Sequence, residues 1–292
     1  MTATEPAVQA EPTRRAGPSL RRSRGNAITG TIRVFRWPDA SLRGALRVWQ
    51  RDLILYRRSW LSNILPNFFS PLLYLLSIGI GVGFYIGSRI GGLPYTVYLA
   101  PALAANAALN GGVFETTYNV FVKLRWDKVY DAAITTPLEP EDIALGELAW
   151  ATTRALIYGL AFMVVMLFLG DLRSPYALLA PVAFLLIGLV FALIGLIFSS
   201  LAPSIDLFSY FFTLFVMPLF LFSGTFFPVD RLPPVIRTFS WFSPLFHGSE
   251  MLRDLMLRGD LVQAAGHGLW LAVACAILYP PACNLFRRRL VV

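Results

Sequence analysis

The chain has 292 residues, 56% of them hydrophobic and only 14% charged, with a net charge of +8. A soluble domain is about one quarter charged, so this composition, with its apolar runs of about 20 residues, excludes an ordinary soluble protein and predicts a polytopic membrane protein. The positive excess lies in the first 60 residues, twelve Arg against four acids, while residues 61–292 balance at thirteen against thirteen; this suits a basic flank beside a bilayer and argues against nucleic-acid binding.

Residues 1–38 are rich in Ala, Pro, Thr and Arg without an apolar period, and read as a disordered basic tail. No short apolar core followed by small residues marks a signal peptide. From Leu42 the pattern changes. Leu42, Leu46, Trp49, Leu53, Tyr56 and Trp60 recur at steps of four and three, while Arg43, Arg47, Arg51 and Arg58 occupy another face. This predicts an amphipathic helix lying in the membrane interface.

Six spans are then predicted, at 62–84, 95–122, 143–169, 176–199, 205–227 and 264–286. The fold class is an all-α membrane protein, with residues 39–292 forming one transmembrane domain after the tail. With the N-terminus inside, the inner segments hold eighteen Lys and Arg against six in the outer loops, so both termini are expected in the cytoplasm; the few lysines among many arginines suit a GC-rich bacterial genome, and hence a bacterial inner membrane.

The second and third spans are joined by RWDKVYDAAITTPLEPEDIALGE, Arg125 to Glu147. Trp126, Val129, Tyr130, Ala133 and Ile134 fall on helical spacing, Pro137 and Pro140 mark a turn, and Glu139, Glu141 and Asp142 suit the positive end of the next helix. An ordinary link between antiparallel neighbours needs only a few residues. The apolar stripe therefore either lies on the membrane surface or docks a partner.

Further along, the fifth span carries Phe208, Tyr210, Phe211, Phe212 and Phe215, which suits either an amphiphile pathway or a lipid-facing, packed helix. In the outer segment 228–259, Val235, Ile236, Phe239 and Phe242 form one stripe, and Met251, Leu252, Leu255 and Met256 another. Ser243 and Pro244 break the chain between them, and Gly259 is placed to end the second helix. Two short helices dipping into the outer leaflet are predicted. Cys275 and Cys283 read as small packing residues of the last span.

The only lysines, Lys123 and Lys128, are followed by Leu and Val, so no phosphate-binding loop can be written. The glycine run from Gly79 to Gly87 has the wrong spacing for a dinucleotide loop and reads as close helix packing. His247 and His267 belong to no zinc-protease pattern, and no nucleophile elbow is present. The chain is expected to be no enzyme and to bind no metal. Ionisable groups near or inside the spans remain as functional candidates, because burying them is costly. These are Glu115, Glu147 and Arg154, and an ion pair between Arg154 and one of the glutamates is expected.

The segment FETTYNVFVKLRWDKVYDAAITTPLEPEDIALGELAWATTR, followed by LFSGTFFPVDRLP and SPLFHGSEMLRDLM, resembles the permeases of the type-2 ABC exporter family. The likeness is greatest to its nodulation-factor (NodJ-like) exporters and their drug-export cousins, and covers about residues 40–292. It implies that two six-span subunits pair, as a homodimer or heterodimer, and that each binds a separate ATPase subunit carrying ATP and Mg. It implies that the ATPase docks on the interfacial helix (Leu46, Trp49, Leu53, Tyr56) and on a coupling helix at about 126–138, with Trp126, Val129, Tyr130, Ala133, Ile134, Thr136, Pro137 and Leu138. The cargo class implied is a lipid-linked saccharide or amphiphilic small molecule, exported past Phe208, Phe211, Phe212 and Phe215. The alternative from another class is a proton-coupled carrier using Glu115 and Arg154, though no inverted repeat is apparent.

Overall fold

The computed structural model describes residues 35, 37–85, 89–90 and 92–291, so nearly all of the expected tail lies outside the described residues. Helix α1 spans Leu42–Tyr85 and is broken at Ser59, whose φ of −128° and ψ of 17° are not helical. The break falls where the sequence passes from the arginine-bearing stretch to the first expected span. A two-residue ladder pairing Arg89 with Pro94 and Ile90 with Leu93 leads into α2, Tyr95–Arg125. Then follow the short α3, Val129–Ile134, α4, Pro140–Leu169, and α5, Pro175–Leu201. Helix α6 covers Leu207–Phe222, α7 Pro234–Trp241, α8 residues 244–258, and α9 Leu261–Val291.

Among the described residues, α2, α4, α5 and α9 are long and apolar enough to cross a membrane. Helix α6 is apolar but shorter than the expected span at 205–227, ending where Ser223 and Gly224 leave helical geometry. The expected first span lies in the second limb of α1, where many side chains are outside the described set.

Helix α2 is the centre of the bundle. Its apolar window is 83% buried, against 22% for α9. Small residues permit this: a Cβ on Gly111 would meet the backbone of Ala155, and one on Gly112 the carbonyl of Gly188. Gly188 and Ala155 are themselves in contact, so α2, α4 and α5 close on one another through glycine and alanine. The close packing expected of the glycine run in the first span is not made at Gly81, where a Cβ would meet none of the described residues within 4 Å.

Helix α2 also contains a π turn, Glu115–Asn119. The hydroxyls of Thr116 and Thr117 donate to the carbonyls of Gly112 and Val113, at 3.2 and 2.6 Å. Such bulges re-aim the side chains they carry, and this one carries Glu115.

Candidate functional site

The segment between α2 and α4 does not form one long amphipathic helix. The amides of Trp126 and Asp127 both donate to the carbonyl of Val122, at 2.9 and 3.1 Å, and so end α2. Lys128 then takes a left-handed backbone with φ 48° and starts α3, which is only six residues long. The hydroxyls of Thr135 and Thr136 turn back on the carbonyls of Ala132 and Ala133 and close it. The expected helix at 126–138 is therefore shorter at both ends. At α4 the start is firmly set: Glu139 and Asp142 form a reciprocal capping box, with Pro140 at the first turn. Asp142 Oδ1 also accepts the amide of Ser41, at 2.5 Å, which ties the start of α1 to the start of α4.

The residues expected to form a docking face divide. Trp126 is 61% exposed, and Ile134, Thr136 and Pro137 are exposed with it. Val129, Ala133 and Leu138 are half-buried. Tyr130 points inward instead, fully buried and edge-on to Phe286 of α9 with ring centroids 5.5 Å apart. Burial and the neighbouring charge of Glu147 hold its phenol well above the usual pKa range. Periodicity placed it on the outer stripe; the short helix leaves it as the peg that seats α3 on the bundle.

Above that peg lies a buried network of ions. Lys123 Nζ is 2.7 Å from Glu147, 3.1 Å from Asp52 and 3.5 Å from Glu115. Arg51 reaches both Glu147 and Asp52 at 2.9 Å. Arg154 pairs with Glu115 and donates to the hydroxyl of Tyr158, and its guanidinium lies over the rings of Tyr56 and Tyr158. Asn119 donates to Glu115 at 2.7 Å. Three cations meet three carboxylates drawn from α1, α2 and α4, so the group is neutral. Asp52, Glu115 and Glu147 are each at most 3% exposed. Each charge meets at least one opposite charge, which is what makes their burial tolerable.

Arg154 thus takes Glu115, and Glu147 is joined to them through Lys123. The sequence marks Arg51 only as part of the polar face of α1 and Lys123 only as a lysine outside any phosphate loop, and it does not single out Asp52, Asn119 and Tyr158. A signal existed for Asp52: it is the sole acid between Leu42 and Trp60, one turn from the buried Val48. The packed face of α1 is Ala45, Val48 and Asp52, while Leu42, Leu46 and Trp60 of the expected apolar stripe are exposed. Leu53 is half-buried. Trp49 donates its indole N–H to Thr153 of α4 at 3.0 Å, and Tyr56 packs edge-on to Trp150. Gly146 brings α4 against Val48 and the carbonyl of Ala45.

The aromatic residues of α6 also divide. Phe208 is fully buried among Phe121, Phe198 and Tyr118, and Phe212 stacks on Phe114 at 4.5 Å. Phe211 stacks on Phe198 at 4.3 Å, and Phe215 is 40% exposed. Of these four phenylalanines only Phe215 opens to the surroundings, next to the exposed Tyr210.

At the opposite end, Arg253 of α8 is fully buried. It donates to the carbonyls of Tyr98 and Gly224 at 3.3 and 2.7 Å and lies 4.0 Å over the ring of Tyr98. His247 and His267 share a hydrogen bond between their Nδ1 atoms at 2.8 Å, and His247 Nε2 donates to the carbonyl of Trp241 at 2.8 Å. Gly259, at φ 72°, ends α8 as expected. Among the described residues, no group of three or more His, Cys, Asp or Glu could hold a metal.

A family model described as ABC-2 type transporter matches residues 45–257. Nodulation protein J of Rhizobium leguminosarum bv. trifolii is 36% identical over 257 residues, covering 88% of this chain and 97% of that protein. Nodulation protein J of Rhizobium meliloti (strain 1021) is 34% identical, covering 84% of this chain and 93% of its own. A probable multidrug ABC transporter permease, YbhR of Escherichia coli (strain K12), is 26% identical over 68% of this chain and 54% of its own.

Proposed function

The chain belongs to the ABC-2 type transporter family, and from that premise we propose that it is the permease subunit of an ATP-driven exporter for a lipid-linked saccharide or an amphiphilic small molecule. It works as a pair of permease subunits, each with six spans and both termini in the cytoplasm of a bacterium. ATP and Mg are bound and hydrolysed by a separate subunit, which docks on α3 and on the first limb of α1.

The observation that carries this reading is the division of α3 into an exposed edge, Trp126 and Ile134, and a buried peg, Tyr130, beside Glu147 and Phe286. A partner that closes on ATP and grips the exposed edge would move the peg. The peg touches α9 and the ion network that joins α1, α2 and α4, so one push tilts four helices together. Export then needs no chemistry from this chain, only two arrangements of the same packed bundle.

The carrier alternative needs an acid free to take up a proton. Glu115 is instead held by Arg154, Asn119 and Lys123.

The test is affinity purification of the tagged chain from native membranes in mild detergent, with mass spectrometry of what co-purifies and an ATP hydrolysis assay. A stoichiometric ATPase with activity supports the reading. A chain that purifies alone even after crosslinking overturns it.

A further inference from the structure

The end of α9 borders a half-open cavity of about 570 Å³. Arg125 of α2 and Arg288 and Arg289 of α9 line it, and among the described lining residues Asp131 of α3 is the one carboxylate. Arg125 and Arg289 outnumber that acid and present like charges to each other. Arg289 is fixed in place by its bond to the carbonyl of Ala202 at 3.1 Å. Guanidinium groups gathered in this way match the oxygens of a phosphate, which they bind in forked pairs.

Leu201 forms part of this cavity and also part of a second, a groove of about 490 Å³ between α5 and α6. Its walls include Ile197, Phe198, Tyr210, Phe211, Leu214 and Phe215, and among the described lining residues the hydroxyl of Tyr210 is the only side-chain polar group. Tyr210 and Leu214 are 63% and 71% exposed. A basic pocket that adjoins an apolar trough has the two halves of an amphiphile's complement.

We propose that the two cavities form one binding site for an anionic phospholipid, its phosphate between Arg125 and Arg289 and an acyl chain along Phe211 and Phe215. Basic pockets between membrane helices recognise lipid headgroups by this chemistry, and the groove replaces the acyl chain's contacts with its neighbours in the bilayer. The inference rests on α2, α5 and α9 crossing the membrane; it does not depend on the cargo, the direction of transport or the ATPase.

The experiment is thermal unfolding of the delipidated chain in detergent, with phosphatidylglycerol, phosphatidylcholine or glycerol 3-phosphate added. Phosphatidylglycerol is expected to raise the midpoint by several degrees, with little effect from the other two. Arg125→Gln and Phe215→Ala are each expected to reduce that rise by at least half while leaving the lipid-free midpoint unchanged. Arg43→Gln, on the first limb of α1 and not among the residues lining the cavity, is expected to keep it. An equal rise with phosphatidylcholine overturns the headgroup assignment. A full rise with glycerol 3-phosphate shows a free-phosphate pocket and overturns the acyl half. An undiminished rise in Arg125→Gln overturns the site altogether. None of these outcomes bears on whether an ATPase co-purifies.

Discussion

The ammonium of Lys123 lies 2.7 Å from the carboxylate of Glu147, and between them the chain leaves the bundle, forms α3 and returns. The pair is a clasp across the base of that excursion. Whatever moves α3 must act on a loop whose two roots are bonded to each other and, through Asp52 and Arg51, to α1.

Replacing Lys123 with Met removes the clasp and leaves Asp52 and Glu147 short of a buried partner. Breaking a buried pair from one side costs about 3–5 kcal/mol, so a marked fall in the thermal midpoint in detergent is expected. Lys123→Met combined with Glu147→Gln should recover part of the loss, because both charges then leave together. A double variant no better than the sum of the singles would refute the coupling.

Arg154 and Glu115 permit a similar comparison with transport as the readout. Arg154→Met leaves Glu115 with Asn119 and Lys123 alone and should lower both stability and export. The paired change, Arg154→Met with Glu115→Gln, should restore stability. Export that returns with stability marks the pair as a structural brace; export that stays lost marks it as part of the pathway. Unchanged folding and transport in Arg154→Glu would sink both roles.

Helix α3 separates docking from folding. Trp126→Asp and Ile134→Asp are expected to release the ATPase while leaving the unfolding midpoint within about 0.5 kcal/mol of the parent, as for exposed sites. Tyr130→Ala empties the socket against Phe286 and should cost about 3–5 kcal/mol, the usual loss for a large buried aromatic. If the two exposed variants still pull down the ATPase in full, the docking face lies elsewhere.

Lys128 holds a left-handed backbone, φ 48°, that costs a side-chain-bearing residue about 1–2 kcal/mol. Lys128→Gly should relieve this and raise the midpoint, measurable by denaturant or thermal unfolding. A lowered midpoint would mean that the lysine side chain, not the backbone, governs this position.

The outer cluster predicts a pH dependence. Burial pushes the His247 imidazole down to about 4, below the ordinary value near 6.5. The unfolded chain therefore binds a proton that the folded chain refuses between those two values. Stability is fully present above about pH 6.5 and falls as the pH drops towards 4. Burial opposes ionisation of nearby Glu250, but Arg253 and Arg258 hold its carboxyl below the usual range, so it stays charged over this window. Asp254, His267 and Trp270 complete the surroundings. Thermal midpoints from pH 7.5 to 5 should fall in the parent and flatten in His247→Gln; identical slopes would exclude His247 as the cause.

Helix positions were legible because apolar runs and caps are local. The long helices α2, α4, α5 and α9 each overlap an expected span, and the break before Pro244 and the stop at Gly259 stand where turn chemistry put them. The site was legible only in part. Glu115 and Arg154 stand out as charges in apolar surroundings, but Asp52 and Lys123 sit in polar stretches where a charge looks ordinary. The inward turn of Tyr130 follows from two bonds to Val122 and a left-handed Lys128, and no period records either. The π turn that aims Glu115 has the same character: one extra residue in a helical register leaves the composition untouched.

That turn also bears on how the chain enters a bilayer during synthesis. Glu115 emerges 39 residues before Arg154, so for that interval the growing chain carries an acid whose principal partner does not yet exist. Asn119, one turn on at 2.7 Å, and Lys123, at 3.5 Å, lie on the same helix. Helix α2 therefore brings its own provisional counter-groups and can be released into lipid. Arg154 then completes a pairing that was partly made from the start, and the order of translation becomes the order in which the bundle is neutralised.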